Sequence, residues 1–247
     1  MRFPSGATVD IFETLDSTSL EARRRLKAGL QPKQWIIAKH QTAGYGRRNR
    51  SWEQATGDFA GTLVFSPEAP GERLGQLSFV IALGVASALD EVIKAPEKLT
   101  LKWPNDILIE GGKAAGLLLE RIDQTGGPVV AIGVGVNIVS APQGLLYPTA
   151  RLVDFAATAP SPEALAERID HHFWVYYDVW LKNGFDRIRI FWLERAAGIG
   201  GALTVRLPNE ELSGTFEGID ETGALMLQIG SEKRIISAGD VFFEKKN

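Results

Sequence analysis

Lys102-Trp103-Pro104-Asn105-Asp106-Ile107-Leu108-Ile109-Glu110-Gly111-Gly112-Lys113-Ala114-Ala115-Gly116 places a stiff polar corner before a tight turn that presents one lysine. Pro104 fixes its own φ, donates no hydrogen bond and pushes Trp103 into an extended conformation, so the corner does not read as helix. Asp106 to Glu110 reads as a short strand. The Gly111-Gly112 pair then predicts a two-residue type I′ hairpin turn, which needs positive φ at both central positions. Lys113 opens the returning strand, Lys113 to Ile122, and Gly116 leaves room for a backbone or a ligand to approach. Taken alone, Lys113 is either a solvated hairpin end or a site residue.

Outward from this hairpin the chain alternates strands and helices. Upstream, Val9 to Thr14 reads as a strand. Thr18 and Glu21 form a capping box for a helix that runs to about Ala28 and closes at Gly29. Trp35 to His40 and Gly61 to Ser66 are strand-like, Leu74 to Ile93 is an amphipathic or buried helix, and Leu99 to Lys102 is a strand leading into the corner. Downstream, Val129 to Val139 is a strand. Pro162 to Leu181 is a helix with Ser161 as its cap and Pro162 at its first position, and Phe185 to Ala197 is another. After Gly198, Gly200 and Gly201, five short strands follow, from Leu203 to Leu207, Leu212 to Ile219, Ala224 to Ile229, Lys233 to Ser237 and Val241 to Glu244, which suggests a small barrel.

A length of 247 residues fits one large domain with a small appendage. The net charge of −3 argues against a protein that coats nucleic acid. The absence of cysteine removes thiolate nucleophiles, disulfides and cysteine metal sites, and fits a reducing compartment. Met1 to Asp10 lacks the basic and apolar segments of a signal peptide, and the apolar stretch Leu77 to Leu89 is shorter than a membrane span needs, so a cytoplasmic protein acting away from membranes is expected.

Two stretches carry candidate chemistry. Gly44-Tyr45-Gly46-Arg47-Arg48-Asn49-Arg50 combines two glycines with three arginines, without the ending of a Walker loop or the third glycine of a dinucleotide fingerprint. It is either a basic surface loop or a clamp for phosphate and carboxylate, which suit the forked donors of arginine. The strand Val129 to Val139 divides by parity. Val130, Ile132, Val134, Val136 and Ile138 form one face, and Ala131, Gly133, Gly135 and Asn137 form the other. The second face has little side-chain volume, so it takes either a closely packed backbone or a flat ligand whose polar edge meets Asn137. His171-His172 has no third ligand at metal spacing, so no metal site is expected. Nor is there a recognisable Ser, His and Asp nucleophile set.

Ser17-Thr18, the Gln41 to Trp52 loop, Lys102-Trp103-Pro104-Asn105-Asp106, Lys113 with Gly116, and Gly133-Val134-Gly135-Val136-Asn137 together resemble the biotin protein ligases, over nearly the whole chain. The resemblance implies an α+β catalytic domain like that of class II aminoacyl-tRNA synthetases, with a mixed sheet, over residues 1–198. An SH3-like barrel would follow over residues 199–247. It implies ATP and biotin as substrates, biotinyl-5′-AMP as intermediate, and a lysine of a biotin carboxyl carrier protein as acceptor. Mg²⁺ would be held mainly by phosphates.

By the same resemblance, Ser17, Thr18, Ser19, Gln41, Tyr45, Gly46, Arg47, Lys113 and Gly116 face biotin. Arg48, Arg50, Trp52, Gly133, Gly135 and Asn137 serve the nucleotide. Lys113 and Arg47 neutralise the reacting carboxylate and phosphate, and Asp106 is a candidate base for the acceptor lysine. Tyr45, Asn49 and Ser19 depart from the family's usual Arg, Gly and Asn, which bears on how tightly the adenylate is held. Some members carry an N-terminal DNA-binding domain. This chain begins almost at the catalytic core, so no operator binding is expected, and a homodimer is one arrangement open to it. The other readings are a lipoate or octanoate ligase of the same fold, and a non-catalytic biotin or nucleotide sensor.

Overall fold

The structure, a computed structural model, describes residues 1–30, 32–124, 126–145 and 147–243. Its elements in chain order are β1 (Thr8–Leu15), α1 (Thr18–Lys27), β2 (Gln34–Gln41), β3 (Phe59–Phe65), α2 (Leu77–Asp90), β4 (Leu99–Lys102), β5 (Asp106–Ile109), β6 (Gly112–Gln124), β7 (Gly127–Val136), α3 (Pro162–Asn183), α4 (Phe185–Glu194), β8 (Ala202–Arg206), β9 (Glu211–Ile219), β10 (Leu225–Ile229), β11 (Glu232–Ile236) and β12 (Asp240–Phe243). The first seven strands form one mixed sheet in the order β1-β2-β3-β7-β6-β5-β4, in which β1 and β2 are parallel and the other neighbours antiparallel. The last five form an antiparallel sheet in the order β11-β10-β9-β8-β12. Five C-terminal strands are thus found where five were expected, while Glu244, the expected end of the last, lies outside the described residues.

Strand parity places two cores on the two faces of the large sheet. Trp35, Ile37, Leu63, Phe65, Val130, Ile132, Val134 and Val136 join the main core under α2, α3 and α4. Ile36, Val64, Val129 and Ala131 pack with Ala22 and Leu26 of α1 on the opposite face. Buried aromatics dominate the main core. Phe65 meets Phe173, Trp174 and Tyr177 edge-on with ring centroids 5.3–5.4 Å apart, a geometry that adds to simple area burial. Together with the 3-10 turn before it, α2 forms a helical stretch from Gly71 to Asp90 that is apolar enough to cross a membrane, yet about two-thirds of it is buried within the fold. His172 contacts Glu91 at 2.7 Å on the surface.

Three local expectations are corrected. The N-cap of α1 is Ser17, whose Oγ accepts from Leu20 N at 3.5 Å, and there is no capping box. The reason is competition: Gln41 takes the Thr18 hydroxyl and N–H, and Arg24 and Arg25 take the Glu21 carboxylate. The β5–β6 turn is Glu110-Gly111 (φ 48° and 79°), one residue earlier than expected, so β5 ends at Ile109 and Gly112 already pairs with it in β6. Gly112 serves a different need, since a Cβ there would stand 3.0 Å from the backbone of Thr149. On β7, the strand stops at Val136. The segment beyond it turns onto Asp58, which accepts from the N–H groups of Ile138, Val139 and Ser140 at 2.8, 2.8 and 3.1 Å.

The polar corner joins the two sheets. Trp103, 3% exposed, donates its indole N–H to Gly223 O at 3.0 Å. The Trp103-Pro104 peptide is cis, and Lys102 and Asp106 face each other as the closing pair of the β4–β5 hairpin. Arg189 of α4 donates to Ile219 O at 2.6 Å on the same side. The C-terminal sheet is therefore bolted to the large one beside the hairpin that carries Lys113.

Candidate active site

The small-residue face of β7 forms the floor of a cavity of about 700 Å³. This face also carries Ala131 under α1, so the cavity begins where the helix stops covering the sheet. Side chains rather than a packed backbone approach the glycines of this face, which still lines the cavity. At Gly133 a Cβ would lie 3.1 Å from Ser19 Oγ, and at Gly135 it would lie 2.3 Å from Cε2 of Trp52. At Gly116, on the neighbouring strand, it would lie 3.0 Å from the same indole and 3.2 Å from Lys113 Cε. Trp52 is the wall that lies on these glycines, and its buried indole N–H has no hydrogen-bond partner.

One end of the cavity is a buried polar cluster at the N-terminus of α1. Gln41 Oε1 accepts from Thr18 N at 2.8 Å and from Thr18 Oγ1 at 3.2 Å. Thr62 Oγ1 donates to Thr18 Oγ1 at 2.8 Å and lies 3.2 Å from Ser19 Oγ. Ser17, Thr18, Ser19 and Thr62 are all under 5% exposed, which suits a ligand head rich in donors and acceptors rather than an alkyl group. Tyr45 roofs this end, with its hydroxyl 3.2 Å from Glu120 Oε2, while Arg23 holds Oε1 of the same carboxylate at 2.6 Å. Burial and the Glu120 charge push the Tyr45 phenol up, so it stays a neutral donor.

The cavity also carries a charged pair. Lys113 Nζ lies 2.7 Å from Asp106 Oδ1, with 16% and 18% of the two side chains exposed. That oxygen is buried and makes no aligned hydrogen bond, so the contact is ionic and the lysine protons remain free to turn to a ligand. Lys113 also sits 5.7 Å from the ring centre of Trp52 and 5.5 Å from that of Tyr147. Arg47 donates to Asn105 Oδ1 at 3.3 Å, and Asn105 in turn donates to Leu117 O at 2.7 Å, which ties the corner to the arginine loop. Burial pushes Arg47 below the ordinary guanidinium range. Burial also lowers Lys102, against the opposing pull of Asp106. Lys102 makes no ion pair among the described residues and lies 5.5–5.9 Å from the rings of Phe243, Phe242 and Tyr147. It is a cation held in the cavity without a partner.

Arg48 and Arg50 reach a different group. Both contact Oδ2 of Asp240 on β12, Arg48 at 2.8 Å. Arg48 and Asn49 have positive φ, 54° and 58°, which costs of the order of 1 kcal/mol each in side-chain-bearing residues. Gly46 N–H bonds Arg50 O at 2.8 Å and closes the turn. The Asn137 amide nitrogen donates to Lys113 O and Ala150 O, each at 3.2 Å, so its donors fix the strand that carries the lysine while the residue lines the cavity.

All the expected site residues therefore line one cavity. The hairpin brings in Lys113, Asp106 and Gly116, the loop brings in Tyr45 to Arg48 and Arg50 to Trp52, and the start of α1 and the end of β2 bring in Ser17 to Ser19 and Gln41. Thr62, Lys102, Asn105, Tyr147, Arg206, Asp240 and Phe242 also belong to the site or touch its residues, although the sequence did not assign them roles. For Lys102 and Asn105 the signal was their place in the corner. For the residues after 200 there was none, because neither spacing nor periodicity relates them to the loop. Among the described residues no three His, Asp or Glu gather as a metal site.

Residues 11–137 match the "Biotin/lipoate A/B protein ligase family", and residues 198–244 match the "Biotin protein ligase C terminal domain". The chain is 40% identical over 234 residues to the biotin--[acetyl-CoA-carboxylase] ligase of Paracoccus denitrificans, covering 92% of this chain and 97% of that one. It is 32% identical to the enzyme of that name from Mycobacterium tuberculosis, over 83% of this chain and 77% of the other. The structure superposes with a TM-score of 0.82 on the biotin protein ligase of Aquifex aeolicus in complex with biotin and ATP, at 20% identity, covering 96% of this chain and 99% of that one.

Proposed function

This chain belongs to the biotin/lipoate A/B protein ligase family, and we propose that its cavity carries out both half-reactions of a biotin protein ligase, with biotin entering toward α1 and the nucleotide under the arginine loop. The activity is ATP-dependent biotinylation. The biotin carboxylate attacks the α-phosphorus of ATP, the bond to the bridging oxygen breaks, and pyrophosphate leaves biotinyl-5′-AMP. The ε-amine of a carrier-protein lysine then attacks the acyl carbon, AMP departs and an amide forms. The acceptor is the biotin carboxyl carrier of acetyl-CoA carboxylase.

The observation that carries the residue assignment is Lys113 on Asp106, in the cavity that the polar cluster and the arginines also line. Bringing a carboxylate against a phosphate sets two anions together, so the step needs cations fixed in advance. Lys113 turns an N–H to the carboxylate, and Arg47, which has an amide rather than a carboxylate as partner, keeps its charge free for the α-phosphate. Lys102 supplies a further unpaired cation for the phosphates. Mg²⁺, which usually keeps several waters and binds through substrate phosphates, would be held mainly by the phosphate oxygens. The Ser17, Thr18, Ser19, Thr62 and Gln41 cluster binds the ureido head, and the Trp52 indole N–H donates to a ligand oxygen. In the second step Asp106, already in the cavity, takes the proton released by the attacking lysine.

We also infer a cytoplasmic protein whose partner is a carrier protein rather than DNA or a membrane, in keeping with its net charge of −3 and its lack of cysteine. Size-exclusion chromatography tells a monomer from the homodimer open to this chain. The activity is tested by biotin-dependent ATP–pyrophosphate exchange followed by transfer to a carrier domain. Exchange with biotin but not with lipoate, and one biotin added at one carrier lysine, is the expected result. Exchange driven by lipoate, or none at all, refutes it.

A further inference from the structure

We propose that Asp240 is a positioning residue for this ligase: by receiving Arg48 and Arg50 together, it holds the arginine loop shut over the nucleotide end of the cavity, so that the C-terminal sheet completes the site. This inference rests on the function proposed above and extends it to a residue some 190 positions from the loop.

The geometry separates anchor from arm. The Asp240 side chain is only 15% exposed, whereas Arg48 and Arg50 are 39% and 54% exposed, so the acceptor is the fixed member and the arginines come to it. Asp240 opens β12, where it pairs in register with Arg206 of β8, and both line the cavity. Each arginine uses one N–H on the same oxygen of Asp240, Arg48 through Nη1 and Arg50 through Nη2. A guanidinium has five donors, so each can also hold a phosphate without leaving the latch.

Charge gives the direction of the effect. Arg47, Arg48, Arg50 and Lys102 are four cations around one end of a cavity, and Asp240 acts on all of them. Without Asp240, Asp106 still offsets Arg47 and Lys102 but no carboxylate receives Arg48 and Arg50, and repulsion favours swinging that exposed pair into solvent. Two consecutive residues of positive φ at Arg48 and Asn49 also leave the closed loop with little intrinsic preference for its shape. An open loop exposes the adenylate to water and lets it escape.

The test uses the full chain with Asp240→Asn and Asp240→Glu. In ligand-free protein, trypsin cuts after arginine, and the Asn variant is cleaved within residues 47–50 faster than wild type. With biotin and ATP, release of biotinyl-5′-AMP in the absence of carrier accelerates about tenfold or more, as expected on losing a charge-assisted hydrogen bond. KM for ATP rises by a similar factor and KM for biotin stays within about twofold, a split that a general loss of stability does not produce. The Glu variant keeps the charge and restores most of both properties, and it carries the test if the Asn variant does not fold. Unchanged cleavage and unchanged adenylate release overturn the inference. A lower KM for ATP in Asp240→Asn also overturns it, because Asp240 would then compete with the phosphates. If wild-type protein forms no adenylate, the proposed function fails, while the ligand-free cleavage comparison still decides whether the latch exists.

Discussion

Replacing Gly135 by alanine tests the floor of the site with one methyl group. The backbone at this position does not lie in the positive-φ region, so alanine is tolerated there conformationally and its effect comes from contact alone. The added Cβ stands 2.3 Å from Cε2 of Trp52, against roughly 3.5 Å for an ordinary carbon contact, so the indole must retreat by about 1.2 Å. Retreat is opposed from the chain side. The Trp52 backbone N–H bonds Gly44 O at 2.9 Å, and the loop ahead of it is tied to Asp240 and Asn105. Overpacking of this kind costs about 1–3 kcal/mol of stability. A displacement near 1 Å at a site that must align two reactants lowers kcat/KM by about 10²-fold. Urea unfolding reads the first and biotin-dependent pyrophosphate exchange the second. Trp52→Phe removes the atoms that clash, so the double variant should be less destabilised than the sum of the two singles. Wild-type stability and wild-type exchange in Gly135→Ala would refute the placement of Trp52 on the glycine floor. So would strict additivity in the double variant.

Lys113→Ala and Arg47→Ala should each reduce adenylate formation by roughly 10² or more, the cost of removing a donor to developing charge, and wild-type exchange rates in both would displace the proposed site. Lys102 predicts two pH trends of opposite sign. Its burial-lowered pKa means that ATP affinity falls as pH rises through that value, below the ordinary lysine range. Over the same window the unfolded chain binds more protons than the folded one, so the Lys102 contribution to stability rises. Lys102→Arg stays charged and should lose the alkaline rise in KM for ATP; an identical pH profile in that variant argues against the assignment. Asp58→Ala should destabilise the fold by about 3 kcal/mol, because three backbone N–H groups lose their acceptor, and urea midpoints within error of wild type would contradict this. Tyr45→Phe removes only a hydroxyl contact to Glu120 and should change KM for biotin by less than about fivefold, whereas a loss comparable to Lys113→Ala would make the phenol a ligand contact.

The local rules of the chain were legible wherever one interaction dominates. Period-two alternation in β7 separated core from floor, because burial sets which face each side chain takes. The proline corner and the glycine-bounded hairpin were legible because φ restrictions act within a few residues. Reading failed where partners distant in sequence compete. The cap of α1 moved from Thr18 to Ser17 because Gln41, 23 residues away, claims the threonine. The hairpin turn moved to Glu110-Gly111 because Gly112 is needed against the Thr149 backbone.

The same division runs through the site. The sequence by itself determined the inventory: a lysine hairpin, an arginine loop, a glycine face and a hydroxyl-rich helix start, in an order that the resemblance could interpret. Only tertiary structure decided the pairings: Lys113 on Asp106, Trp52 over Gly135, Trp103 into the C-terminal sheet, and Arg48 with Arg50 on Asp240. Composition and spacing encode which chemical groups a segment carries and which way they alternate. Which groups meet is set by how the sheets pack, a sum over many buried contacts that no short window of the chain contains.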